Sequence, residues 1–183
     1  MTLRVITPPA IEPVSLETAK AFLRVDGTTE DALITLLIKA AREKGEQLAR
    51  RAFITQTLEI SLDTWPDKCE MDVPRPPLRS ITSVKYIDFD DLEHTVEPST
   101  YYVVSQYEPA ELVIKTLPGE ALRREGAITI RFIAGYGDAA ADVPERIKSA
   151  IQSLVAHWYE NRESQNVPND IKQAFVSLRA VWF

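Results

Sequence analysis

Asp88, Asp90, Asp91, Glu93 and His94 are the densest group of potential ligands and proton carriers in the sequence. Carboxylates and an imidazole at this spacing could hold a divalent cation if they converged on one ion. The glycine and the distal glutamate of an EF-hand loop are missing, and a hairpin turn calls for the same polar residues. The stretch therefore reads as turn chemistry. His157 stands beside Trp158 and Tyr159, but the sequence identifies no nucleophile or carboxylate to complete a catalytic pair. It reads as a histidine flanking a core. Gly135-Tyr136-Gly137 lacks the lysine and the glycine spacing of a phosphate-cradling loop, so a strand-to-helix turn is expected there. Cys69 sits in an alternating apolar pattern and reads as a core residue. No catalytic residue, metal ligand or cofactor is assigned, and no enzyme is expected. A hydrolase with an unrecognised site would require a deep pocket with perturbed titratable groups.

Composition narrows the classes further. At 183 residues, 45% apolar and 26% charged, the chain suits one globular domain or a domain carrying a large insertion. A single cysteine excludes an internal disulfide framework and a thiolate-cluster zinc site. The apolar runs are too short to cross a bilayer and the first residues do not open a secretory signal, so a soluble, intracellular protein with no membrane partner is expected. A net charge of −6 argues against an electrostatic grip on nucleic acid.

The elements that would position these residues follow from periodicity. The clearest helix covers 142–162, with Asp142 as N-cap, Pro144 in the first turn and Glu145 completing a capping box. Ile147, Ile151, Leu154 and Trp158 fall at helical spacing and form its buried stripe. A stiff lead-in, Pro8-Pro9-Ala10-Ile11-Glu12-Pro13, precedes a short helix capped by Ser15, with Leu16, Ala19, Phe22 and Leu23 on one face. A longer helix, capped by Thr28 or Thr29, is expected to run to about Arg51. Leu33, Leu36, Leu37, Ala40, Ala41 and Leu48 would be its buried stripe, with Arg42, Glu43, Lys44, Glu46 and Arg50 solvated. Gly45 in its middle costs about 1 kcal/mol relative to alanine, unless it marks a close packing contact. Trp158 and Leu154 are expected to pack against Leu33, Leu37 or Ala40.

From Thr55 the period becomes two. Leu58, Ile60 and Leu62 alternate with polar residues, as do Cys69, Met71 and Val73. Three prolines in Pro74-Arg75-Pro76-Pro77 interrupt pairing. Val84 and Tyr86 then lead into the acidic turn, and 92–96 returns as its hairpin partner. Further strands are expected at 101–104, 112–114 and 127–133. The fold class is α+β. Residues 1–54 and 135–183 would form a small helical bundle with an N-terminal arm (1–13) and a C-terminal tail (178–183). Residues 55–134 would be an inserted antiparallel β-domain. A short last helix carries Ile171, Ala174, Phe175 and Leu178, and Trp182 and Phe183 are expected either to fold onto the bundle or to dock on a partner as aromatic anchors.

An ordered set of segments resembles the phage head–tail connector, or adaptor, family, in its branch with a β-insertion. The set begins with Pro13-Val14-Ser15-Leu16-Glu17-Thr18-Ala19-Lys20, Leu23-Arg24-Val25-Asp26 and Glu30-Asp31-Ala32-Leu33-Ile34. Ile54-Thr55-Gln56-Thr57, Pro74-Arg75-Pro76-Pro77-Leu78 and Ser80-Ile81-Thr82-Ser83-Val84 follow. Ala134-Gly135-Tyr136-Gly137, Val143-Pro144 and Ala156-His157-Trp158-Tyr159-Glu160-Asn161-Arg162 complete it. The turn Asp88-Phe89-Asp90-Asp91 departs from the pattern by lacking a glycine, and the chain after Arg162 resembles the family least. The resemblance implies a non-enzymatic protein of the virion neck, assembled in the host cytoplasm. It would form a dodecameric ring on the portal protein and extend the DNA channel, with DNA passing the acidic wall unbound. It would also dock a stopper or tail-completion protein; being that stopper itself is the alternative. The portal contact is expected from Leu178, Arg179, Val181, Trp182 and Phe183. The contact between subunits is expected from the arm residues Val5, Ile6, Pro8, Pro9 and Ile11.

Overall fold

The change of period at Thr55 marks a change of structural unit. The computed structural model describes residues 1–163 and 166–179, the side chain of Asp67 excepted. The chain divides into a β unit, Met1–Pro8 with Thr55–Gly135, and a helical unit, Pro9–Ile54 with 136–179. The fold class is α+β.

The β unit holds two antiparallel sheets. Strands β1 (Thr2–Thr7), β2 (Gln56–Leu62), β4 (Leu78–Ile87), β5 (Glu93–Thr95) and β8 (Ile128–Ala134) form the larger one, in the order β1-β2-β8-β4-β5. Strands β3 (Glu70–Asp72), β6 (Tyr101–Val104) and β7 (Glu111–Ile114) form the smaller one, in the order β3-β7-β6. Register places the apolar alternants on one face: Leu58 opposite Phe132, and Ile60 and Val84 both opposite Ile130. All five are buried, and a one-residue slip would turn the whole set to the other face. Cys69 departs from expectation. It is half-buried at the end of a 3-10 turn, at φ 60°, and the alternation starts one residue later.

The largest departure in this unit is at the N-terminus. Residues 2–7, expected as a free arm beside the helices, form β1 and pair with β2 from Thr2 opposite Ser61 to Thr7 opposite Thr57. The open ladder groups of β2 supply the reason, because a β-branched segment that pairs there satisfies its own backbone N–H and C=O groups.

The helical unit contains α1 (Leu16–Leu23), α2 (Asp31–Ala49), α3 (Glu145–Glu160) and α4 (Asn169–Val176). Ser15 caps α1 as expected, its Oγ accepting the Thr18 N–H at 3.1 Å. Thr28 and Thr29 do not cap α2; Glu30 occupies that position without a side-chain cap. Asp142 does not cap α3 either. It closes the preceding 3-10 turn by accepting the Ala139 N–H at 3.0 Å, while Pro144 begins α3. The Asp142 carboxylate lies where a Cβ on Gly137 would stand, so only glycine fits there.

One core joins the four helices. Ile147, Ile151 and Leu154 are fully buried in it with Ile34, Ile38, Phe53 and Phe175. The phase of α2 differs from the expected one by about one residue. Ile34, Ile38, Ala41, Gly45 and Ala49 face inward, Leu33 and Leu37 are half-buried, and Leu36 is 63% exposed. Eight apolar residues from position 32 to position 41 permit either phase. Packing selects this one because Gly45 must lie under aromatic rings. A Cβ there would come within 2.6 Å of Phe175 and 2.8 Å of Phe53. Phe22, expected on the buried face of α1, is 52% exposed. Trp158 packs on the core only in part, because its indole N–H donates to the Asn166 carbonyl at 3.0 Å and an indole keeps its polar edge near a partner.

Candidate functional site

The acidic turn is the first place to look for chemistry. Asp88 accepts the backbone N–H of Asp90 at 2.9 Å and of Leu92 at 3.0 Å on Oδ1, and its Oδ2 meets His94 Nε2 at 2.6 Å. Its hydrogen bond with His94, reinforced by these N–H donors, holds the Asp88 carboxyl below the usual carboxylate range. These three contacts shape the hairpin. Asp91 adopts φ 62°, so the missing glycine is replaced by an aspartate in a left-handed conformation that short polar side chains tolerate. His94 stacks on Tyr86 at 4.9 Å, and the Tyr86 hydroxyl donates to Glu120 at 2.9 Å. Burial, then Glu120, pushes the Tyr86 phenol upward. Among the described residues, no three metal-ligating side chains cluster.

What this scaffold presents is apolar. Phe89 is 77% exposed and Leu92 59% exposed on the tip, between the solvated Asp90, Asp91 and Glu93. The tip is held from its flank as well: the Phe89 N–H donates to the Ala121 carbonyl at 2.9 Å, and Asp88 bridges Leu122. Sequence reasoning passed over this pair. The available signal was an aromatic residue in the middle of a polar turn.

A second polar centre lies inside the helical unit and was also missed. Arg42, 3% exposed, donates from Nε to Glu12 at 2.7 Å and from Nη1 to Glu46 at 2.9 Å. Glu46 also accepts the Phe53 N–H at 2.7 Å. Burial opposes the charge on Arg42, but the carboxylates of Glu12 and Glu46 outweigh it and raise its pKa. Both residues were expected in solvent, and the shifted phase of α2 turns them inward. An arginine and a glutamate four apart, on the same stripe as Ala41 and Gly45, were the only clue.

The end of α4 is tied to α2. Leu178 is 3% exposed, and its carbonyl accepts Nε of Arg51. Arg179 donates to the Leu48 carbonyl at 2.8 Å. Leu178, expected in a docking tail, therefore belongs to the core, and Arg179 serves the end of α2. Val181, Trp182 and Phe183 lie outside the described residues. The arm residues are placed differently: Val5 is 56%, Ile6 40% and Ile11 45% exposed, with Pro8 exposed and Pro9 half-buried. On the sheet, Glu59 stands opposite Arg4 and Arg131 and bonds each at 2.7 Å.

Carboxylates in these pairs give an expected pH response. Hydrogen bonds from Tyr159 and then Arg162 lower the Glu30 pKa. Burial raises that of Glu59, but Arg131 and Arg4 lower it more. With Asp88, these groups bind fewer protons in the folded than in the unfolded chain, so each contributes stability above the ordinary carboxylate pKa of about 4. That contribution is lost as pH falls through the depressed folded values. Urea midpoints should be flat from neutral pH to about 5 and fall below about 4. Glu30→Gln should make the acid limb shallower, and an unchanged limb would count against the Glu30 contribution.

No curated protein matches the chain. The fold is similar to a component of the neck of an empty GTA particle, computed with C6 symmetry. The TM-score is 0.85 at 20% identity, over 100% of this chain and 97% of the other. It is similar to a chain of the native gene transfer agent virion at TM-score 0.78 and 22% identity, with the same coverage. A third similar chain, from the native GTA neck computed with C12 symmetry, gives TM-score 0.74 and 21% identity, again over 100% and 97%. The head completion protein family matches residues 12–167, every described element except β1 and α4, and the chain belongs to that family.

Proposed function

We propose that this protein is a structural adaptor of the neck of a tailed phage or phage-like particle. It forms a dodecameric ring on the portal, extends the DNA channel and docks the next neck component. The observation that carries this reading is the full-length likeness to neck chains, at TM-score 0.85 and 97% coverage of the partner, together with the family match. The C12 and C6 symmetries under which those necks were computed fit a ring. A net charge of −6 suits a wall past which DNA slides without specific binding. In this reading Val5, Ile6 and Ile11 contribute to the contact between subunits. Val181, Trp182 and Phe183 reach the portal.

The test is assembly of the purified chain with the portal of its particle, viewed by cryo-electron microscopy. A ring seated directly on the portal is expected. A chain that joins only a portal already carrying another neck protein would instead be a stopper. Truncation after Arg179 should keep the helical unit folded, since Leu178 and Arg179 retain their contacts, and should lower portal affinity about tenfold or more. Undiminished binding of the truncated chain would remove the terminal aromatics from the contact.

A further inference from the structure

A ring needs a heterologous contact, in which one patch of a subunit meets a different patch of its neighbour. We infer that the hairpin tip is the projecting half of that contact, with Phe89 and Leu92 seated in an apolar groove of the adjacent copy. This rests on the ring reading above and names the surfaces that would close the ring.

Three observations lead to it. The tip exposes two large apolar side chains on a turn fixed at both flanks. Asp88 bonds the N–H groups of Asp90 and Leu92, and Ala121 accepts from Phe89. Little ordering entropy therefore opposes docking, which is the setting in which aromatic anchors bind best. The helical unit, in turn, carries an open groove of matching character, lined by Ile11, Val14, Leu16, Thr35, Ile38 and Ala140. Glu12 also lines it, but its charge is balanced by Arg42.

Charge supplies the third observation. The tip is edged by Asp90, Asp91 and Glu93, all exposed; Glu93 pairs with Lys85 at 2.6 Å and Asp91 lies 3.8 Å from Arg123, which leaves Asp90 as the carboxylate without an ion pair among the described residues. Lys39 lies one helical turn beyond Thr35, on the side of α2 that borders the groove. It is exposed and has no ion pair among the described residues. Phe89 in the groove would bring the acidic edge toward this cation. Projection and groove belong to different units of one chain, so copies can join head to tail.

Disulfide trapping tests the contact in the full-length chain with Cys69→Ser. Phe89→Cys combined with Thr35→Cys should give, on mild oxidation at high concentration, a ladder of linked oligomers on non-reducing gels. Each single-cysteine chain should give at most dimers. Phe89→Asp and Ile11→Asp both alter exposed side chains, and circular dichroism should show each folded. Each alone should weaken self-association about tenfold or more in sedimentation. Mixed together they should form dimers and stop, because the mixture retains one intact tip and one intact groove per pair. Absence of the ladder, or association indifferent to Phe89→Asp, would overturn the inference. If the wild-type chain forms rings on the portal while Phe89→Asp does so equally well, the ring reading stands and this contact fails. If no ring forms on the portal, the ring reading fails, and trapping in the free chain decides the contact by itself.

Discussion

Glu46→Leu is expected to destabilise the helical unit by about 3–5 kcal/mol, the cost of breaking a buried ion pair from one side. Arg42 would remain charged at 3% exposure with a partner removed, and the Phe53 N–H would lose the carboxylate that accepts it at 2.7 Å. Glu46→Gln keeps an acceptor for Phe53 and loses only the charge, so it should cost about half as much. The order, leucine worse than glutamine, separates this from a packing effect, because leucine is the better helix former and the more apolar side chain. Guanidinium unfolding of the three proteins measures it. Equal or greater stability of Glu46→Leu would show that the network is dispensable.

Phe175→Ala is expected to cost about 3–5 kcal/mol, as truncation of a fully buried phenylalanine does. Its ring stacks on Phe53 at 6.1 Å, and both side chains are 0% exposed. The sharper form of the prediction concerns Gly45. Gly45→Ala alone should destabilise by about 1–3 kcal/mol, because the added methyl overlaps both rings by more than its helical preference returns. In the Phe175→Ala background the obstruction from Phe175 is gone and the Phe53 ring has space to withdraw. There the same substitution should become neutral or stabilise by about 1 kcal/mol, the ordinary gain of alanine over glycine in a helix. A double-mutant cycle reads the reversal directly. Additive effects would mean that Gly45 is not held to glycine by these rings.

Taken alone, the sequence determined the features that depend on neighbours along the chain. The change from helical to alternating period at Thr55, the strand faces of β2 and β8, the Ser15 cap and the stripe Ile147-Ile151-Leu154 are local patterns, and local sterics suffice to produce them. The acidic turn was legible for the same reason, since Asp88 bonds groups only two to six residues away. Tertiary structure decided whatever two distant segments must settle between them. Residues 2–7 could become β1 only once β2 offered an open ladder 55 residues on. The phase of α2 was fixed by Phe53 and Phe175 closing over Gly45, and that choice carried Arg42 and Glu46 inside and left Leu36 out. Leu178 was claimed by the core, and its carbonyl is bonded by a side chain 127 residues earlier. The exposure of Phe89 had only a weak sequence signature, an aromatic residue within a polar turn, for a related reason. A phenylalanine is usually buried, and only the folded hairpin shows that nothing in its own turn covers it.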